Sequence, residues 1–362
     1  METVVRELVP RVLGVQEALV EAVRRWPDDP PADPRAWLVT VAWRKFLDAQ
    51  RSDSSRRSRE ERVHEEPEPG PAADRDDTLL LLFLSCHPSL TPASAVALTL
   101  RAVGGLTTRQ IAAAYLVPEA TMAQRISRAK RTVAREGVGT PGDLDRVLTV
   151  LYLIFNEGYS GDVDLAAEAI RLTRALHRAS DEPEVAGLLA LMLLHHARRA
   201  ARWSDGALVP LAEQDRSAWD TSLVAEGVEV LQSALARDRL GAYQCQAAIA
   251  ALHCDARSAE ETDWTQVLEW YDELLARTAS PVVALNRVVA VGEADGPLAG
   301  LRALRAVPEH VPRRTAVDAW LHERAGDPAT AAALYAEAAA QAGSTAERDH
   351  LTRQAARLRH TP

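Results

Sequence analysis

The residues best suited to chemistry lie between Leu106 and Arg131, in the stretch LTTRQIAAAYLVPEATMAQRISRAKR. Thr107 and Gln110 stand at the S/T-x-x-E/Q spacing of a capping box, so a helix is expected to begin at Thr108 with its first free amides satisfied. Ile111, Ala112 and Tyr115 give that short helix an apolar face, and the small Ala112 lets a second helix approach closely. Leu116-Val117 is the turn. Pro118 suits the first position of the next helix, Glu119 complements its dipole, and Met122, Ile126, Ala129 and Val133 form a continuous inner stripe. The opposite face carries Ala120, Thr121, Gln124, Arg125, Arg128 and Arg131, hydrogen-bonding and basic side chains of the kind that read base edges and clamp phosphates in a major groove. In a helix-turn-helix the start of the second helix meets bases and later basic residues meet the backbone. Thr121, Gln124 and Arg125 are therefore expected nearest the bases, Arg128 and Arg131 on phosphates, and Arg109 on the first helix completes the DNA-binding set. On spacing alone, a plain helical hairpin with a solvated charged face is the competing reading, because the same geometry is a common packing motif.

The charge distribution bears on that choice. The chain of 362 residues carries a formal net charge of −9, which argues against a surface that is basic throughout. Residues 101–135 nevertheless hold Arg101, Arg109, Arg125, Arg128, Lys130, Arg131 and Arg135 against the single acid Glu119. A basic island in an acidic chain fits local phosphate binding.

The elements that must position this island read as helices throughout. Apolar residues make up 47% and aromatic residues only 5%, a balance that favours helix over sheet, and the length favours two or three domains. Val5, Leu8, Val12, Leu19 and Val23 recur near helical spacing before Pro27, Pro30, Pro31 and Pro34 break the pattern. Asp33-Pro34 opens another helix, marked on one face by Trp37, Leu38, Val41, Ala42 and Leu47. The run EEPEPGPAADRDD has acid, proline and glycine without apolar period, and reads as a flexible linker. DDTLLLLFLSCHPSL is too short to span a bilayer and is expected as a buried helix; Thr91-Pro92 opens a helix over 92–103 closed by Gly104-Gly105. From Leu144 onward helix follows helix, and AWLHERAGDPATAAALYAEAAAQAG has the pattern of a tetratricopeptide-like hairpin. The expected division is 1–63, a linker at 64–77, a helix-turn-helix domain at 78–138, and an all-helical extension at 143–362.

Other chemistry-bearing residues read as structural. Cys86, Cys245 and Cys254 are odd in number and scattered, which implies no disulfide framework and a reducing, cytoplasmic setting. Cys86-His87, His195-His196 and His253-Cys254 follow no zinc spacing, so no metal and no cofactor are expected. Trp203, Trp219, Trp264, Trp270 and Trp320 fall at helical spacing among apolar neighbours, as core residues do. No apolar run reaches the ~20 residues of a membrane span, and the start of the chain lacks the apolar core of a signal peptide. With no nucleophile, phosphate loop or carboxylate pair in view, the chain is expected not to be an enzyme.

Taken together, these stretches resemble the extracytoplasmic-function (ECF) group of bacterial sigma-70 family factors, in the subgroup with a long, tetratricopeptide-like C-terminal extension of the DUF6596 type. VQEALVEAVRRWPDDPPADPRAWLVTVAWRKFLDAQRS resembles the second half of region 2, LTTRQIAAAYLVPEATMAQRISRAKR resembles region 4, and VLYLIFNEGYS resembles the start of the extension. The resemblance implies an all-α protein that binds core RNA polymerase, recognises the −35 promoter element through region 4 and the −10 element through region 2, with the extension regulating it or binding a further protein partner. It maps Trp37, Arg44, Lys45 and Asp48 onto promoter- and core-facing helices, and Asn156, Glu157 and Tyr159 onto an interdomain contact. In one place the chain departs from the pattern. Relatives carry about four further helical turns, at ~3.6 residues per turn, where Gly14 here runs straight into Val15. The missing piece includes the acidic, polymerase-facing helix of region 2. Two functions therefore stay open: a sigma factor, or a DNA-binding regulator or decoy without sigma activity.

Overall fold

The structure, a computed structural model, describes residues 77–136, 142–158, 164–204 and 207–359. Trp37, Arg44, Lys45 and Asp48 lie outside the described residues, as does Tyr159. Fifteen α-helices are described, and the only strands among the described residues are two-residue β1 (Trp203–Ser204) and β2 (Ala207–Leu208), paired antiparallel. The chain divides into two compact units, Met1–Ala175 and Leu176–Pro362.

In the first unit α1 (Asp77–Ser85), α2 (Pro92–Ala102), α3 (Thr108–Ala114), α4 (Glu119–Glu136) and α5 (Leu144–Glu157) assemble around α2. Thr91 caps α2 by accepting the Ser94 amide at 3.3 Å, and Pro92 fills its first position, where no amide partner is needed. Ala95 through Leu100 and Ala102 are all buried, so α2 has no polar face and serves as the central post. The left-handed residue at its exit is Gly105, at φ +73°, rather than Gly104. Gly104 is needed for a different reason, since a β-carbon there would lie 2.9 Å from the Leu100 carbonyl oxygen.

α5 shares this core. Asp143 caps it on the Arg146 amide at 2.8 Å, and Val147, Leu148, Val150, Leu151, Ile154 and Phe155 are buried, with α5 lying against α1 and α2. The Gly142 amide donates to the Phe83 carbonyl at 2.9 Å, and the Arg146 guanidinium donates to the Leu90 carbonyl. The next helix, α6 (Leu165–Ala179), contains the division between the units, and its first half buries Leu165, Ala166, Ala169, Ile170 and Leu172.

The second unit is a run of helices, each packed on the next. α7 (Pro183–Ala197) is buried along nearly its whole length between α8 (Thr221–Leu235) and α9 (Ala242–Asp255). The chain continues through α10 (Trp264–Thr278), α11 (Pro281–Ala294), α12 (Pro297–Leu304), α13 (Arg314–Arg324), α14 (Pro328–Gln341) and α15 (Thr345–Arg359). Stacked hairpins of this kind bury a continuous core that no single repeat could bury alone. The AGDP turn between α13 and α14 shows why its residues are there. Gly326 at φ +81° donates to the Glu323 carbonyl at 3.1 Å and Asp327 donates to the His322 carbonyl at 2.9 Å, the paired bonds of a Schellman motif. Asp327 then caps α14 on the Thr330 amide at 3.1 Å, ahead of Pro328.

Thin helical stacks leave little room for large rings. Of the tryptophans expected in the core, Trp219 is buried, whereas Trp264, Trp270 and Trp320 are half-buried at core margins. The Trp203 side chain lies outside the described residues.

Candidate nucleic-acid interface

The helix pair α3–α4 is built by local chemistry. Thr107 Oγ1 accepts the Gln110 amide at 3.2 Å while Gln110 Oε1 accepts the Thr107 amide at 2.9 Å, a complete capping box. α3 is seven residues long, with Tyr115 as its C-cap. The turn is closed by the Val117 amide donating to the Ala112 carbonyl at 3.0 Å, with Leu116 in the left-handed region at φ 49°. The Pro118 carbonyl accepts the amides of Thr121 and Met122 at 2.9 and 3.1 Å, so α4 begins at Glu119, one residue beyond the proline.

Met122, Ile126, Ala129 and Val133 are the buried residues of α4, and they face α2 and α3. Burying each of the larger ones contributes about 2 kcal/mol. The stripe fixes which side chains turn outward. Thr121, Gln124, Arg128 and Arg131 are exposed on α4, and Arg109 is exposed on α3. Arg125 is different. It is half-buried on the flank of the stripe, where its guanidinium acts on the Tyr115 phenol. Burial, then the carboxylate of Glu157, push that phenol's pKa up, and Arg125 opposes them. The other flank carries Lys130. Burial and the neighbouring Arg101 hold its ammonium down to about 8 from an ordinary 10.5. Arg101 itself donates to the Leu106 carbonyl at 3.1 Å, bracing the entry to α3.

Asn156 and Glu157 are exposed at the end of α5. Gly158 follows as a buried helix cap with an ordinary right-handed backbone. Its lack of a side chain answers to packing, because a β-carbon would lie 2.1 Å from the Ala166 amide nitrogen.

In the second unit, α7 and α9 bring His195 near His253, and burial first, then neighbouring arginines, lower both imidazoles, to about 3 and about 4. Arg216 donates to the Ala256 carbonyl at 2.8 Å and lies 4.7 Å over the Trp219 ring, capping the end of α9. Cys254 is half-buried, with its thiol raised chiefly by burial. Among the described residues, no three His, Cys, Asp or Glu side chains are grouped to hold a metal ion.

Two features of this site left no trace in the sequence. One is the half-burial of Arg125 and Lys130 beside the stripe, and the other is the Tyr115 hydroxyl, buried with no hydrogen-bond partner among the described residues. Charges from other helices act at both places, Arg101 of α2 on Lys130 and Glu157 of α5 on Tyr115.

Comparison with known families agrees with this geometry. A family model described as "Sigma-70, region 4" matches residues 80–133, the span of α1–α4, and one described as "Sigma-70 region 2" matches residues 14–56. The chain belongs to the sigma-70 family. Beyond region 4, a "Family of unknown function (DUF6596)" matches residues 143–235. An uncharacterized protein of Rhizobium meliloti (strain 1021) is 42% identical over 328 residues, covering 82% of this chain and 77% of its own length. No solved structure matches significantly. With regions 2 and 4 both present, the function is of the sigma-factor type, DNA-binding and in transcription initiation. No described helix is long and apolar enough to cross a membrane.

Proposed function

We propose that the protein is an ECF-type initiation factor that acts in the cytoplasm, needs no cofactor, binds core RNA polymerase and reads promoter DNA, with α4 on the −35 element and region 2 on the −10 element. The observation that carries this reading is the exposed face of α4, where Thr121, Gln124, Arg128 and Arg131 stand opposite a fully buried stripe. Thr121 and Gln124 sit at the start of α4 where base edges are met, and Arg128 and Arg131 follow where phosphates are met. Arg125 reaches the same groove from the flank. In region 2, Trp37, Arg44, Lys45 and Asp48 take the promoter and core contacts, and Asn156, Glu157 and Tyr159 take an interdomain contact through which the extension, or a protein bound to it, regulates initiation.

The test is co-purification of the intact chain with core RNA polymerase, followed by run-off transcription from promoters upstream of its own operon. Binding with transcription is the expected result; loss of both overturns sigma activity.

A second reading has its own support. The region 2 match begins only at residue 14, where Gly14 meets Val15 without the acidic helix expected there. A chain that binds DNA but leaves polymerase unbound in the same experiment is a regulator or decoy.

A further inference from the structure

We infer that α5, the first helix of the extension, is a working part of the DNA-binding domain: it folds with α1–α4 as one cooperative unit, so that DNA held by α4 also steadies α5. The link to DNA rests on the reading of α4 as the DNA-facing helix. The cooperative folding does not.

By family the extension begins at residue 143, but the packing divides the chain elsewhere, since the first compact unit runs on to Ala175 inside α6. The join between extension and helix-turn-helix is made by backbone as well as side chains. The Gly142 amide donates to the Phe83 carbonyl of α1 at 2.9 Å. A β-carbon at Gly142 would lie 2.3 Å from the Cys86 carbonyl oxygen, so the chain passes the end of α1 with no room for a side chain. Four residues on, the Arg146 guanidinium donates to the Leu90 carbonyl, just before the Thr91 cap of α2. α5 then packs on α1 and α2, with Val147, Leu148, Val150, Leu151, Ile154 and Phe155 buried. At the exit of α2, a Glu168 carboxylate oxygen of α6 comes within 3.3 Å of the position a Gly104 β-carbon would take. Arg146 therefore holds α2 at its entrance and Glu168 meets it at its exit, both from the extension.

The consequence follows from what else α2 touches. It is the post on which α1, α3 and α4 also pack, and it is buried from Ala95 to Leu100. A helix with no polar face must be covered on every side, and α5 supplies one of the walls. Walls that share one post open together, because losing one exposes the apolar atoms of the rest. A ligand that binds only the folded form stabilises every element that opens with its site. DNA on α4 must then slow the opening of α5, and by reciprocity whatever loosens α5 weakens the hold on DNA.

The experiment is hydrogen exchange by mass spectrometry on the intact chain, with and without a short mixed-sequence DNA duplex at low salt, so no promoter need be known. Leu151→Ala removes a fully buried side chain from α5 and is expected to speed exchange about tenfold or more in α2 and α4 as well as in α5. Outright loss of protection in α1–α5, with α7–α9 still protected, is the limiting form of the same result. Leu188→Ala makes the same change at a fully buried place in α7 and is expected to leave α2 and α4 within about twofold of wild type. Added duplex is expected to slow α4 and α5 by factors within about twofold of each other and to leave α7–α9 unchanged. Acceleration of α5 alone in Leu151→Ala, or α5 responding to Leu188→Ala while α2 and α4 do not, overturns the cooperative unit. Protection confined to α4 overturns the link to DNA. A chain that binds no duplex removes the DNA-reading role of α4 and that link together, while exchange in Leu151→Ala still decides whether α5 belongs to the domain.

Discussion

Thr107 and Gln110 hold each other across the entrance of α3, each accepting the other's backbone amide, at 3.2 and 2.9 Å. Two amides that would otherwise face water unpaired are satisfied within a helix of only seven residues, too short to be stable by propensity. Thr107→Ala removes one bond of the box and leaves Gln110 without its anchor. It is expected to cost about 1 kcal/mol, read from urea unfolding of the intact chain. Gln110→Ala should cost less, and the double variant less than the sum of the two, since both act on one box. Additive losses would show that the two residues act independently.

Leu116 is 88% exposed at φ 49°, a conformation that non-glycine residues adopt at a cost. Its side chain buries almost nothing, so Leu116→Gly relieves strain at a comparable loss of chain entropy and should leave stability within about 0.5 kcal/mol of wild type. Leu116→Val places a branched β-carbon in the same conformation and should lose about 1 kcal/mol or more. Equal unfolding midpoints for Leu116→Val and wild type would mean that the turn relaxes out of the left-handed region.

The sequence disclosed this helix pair unevenly, for physical reasons. The capping box and the stripe Met122, Ile126, Ala129 and Val133 could be read because caps and helical period are local properties. The start of α4 was displaced by one residue because Pro118 suits either side of a helix boundary. That Leu116 takes the left-handed position could not be read, since leucine is disfavoured there and only the turn itself left a trace. The half-burial of Arg125 depends on how the helices pack, and period alone sets it on the outer face. The close approach at Gly158 was equally hidden, because the structure requires a glycine there to admit Ala166 of the next helix.

The exposed residues of α4 differ in what they should contribute to DNA binding. On the proposed docking of α4, Arg128→Ala and Arg131→Ala each remove one phosphate contact, and each should lower the slope of log affinity against log salt by about 0.9 while weakening all sequences alike. Gln124→Ala should cost about 1–3 kcal/mol on a preferred sequence and little on others, relaxing specificity. Arg125→Ala should weaken binding by about 1–3 kcal/mol if it meets a base. A salt-controlled titration separates the classes, and an unchanged salt slope in Arg128→Ala removes that residue from the phosphate set.

Gly158 is tested by adding one methyl group. With a β-carbon 2.1 Å from the Ala166 amide nitrogen, Gly158→Ala forces the end of α5 away from the start of α6. The neighbour is backbone and cannot rotate aside, so the loss should be at the upper end of overpacking, about 3 kcal/mol. Thermal unfolding reads it directly, and a variant as stable as wild type would show that the two helix ends separate freely.

Lys130 gives the chain a pH dependence whose sign can be worked out. Its folded pKa is about 8, below the 10.5 of an exposed lysine, so between these values the unfolded chain binds more protons than the folded one. Stability therefore rises with pH across that window, and the full cost of holding the buried ammonium is present below pH 8. A half-exposed position discounts that cost to about 1 kcal/mol at pH 7. Lys130→Met keeps the stem's packing and removes the charge, so it should be the more stable form at pH 7. Its advantage should shrink steadily from pH 8 toward pH 10.5 as wild type sheds the proton. Urea unfolding of both forms at pH 7, 9 and 10 checks this, and a constant difference between them would mean that Lys130 does not titrate in that range.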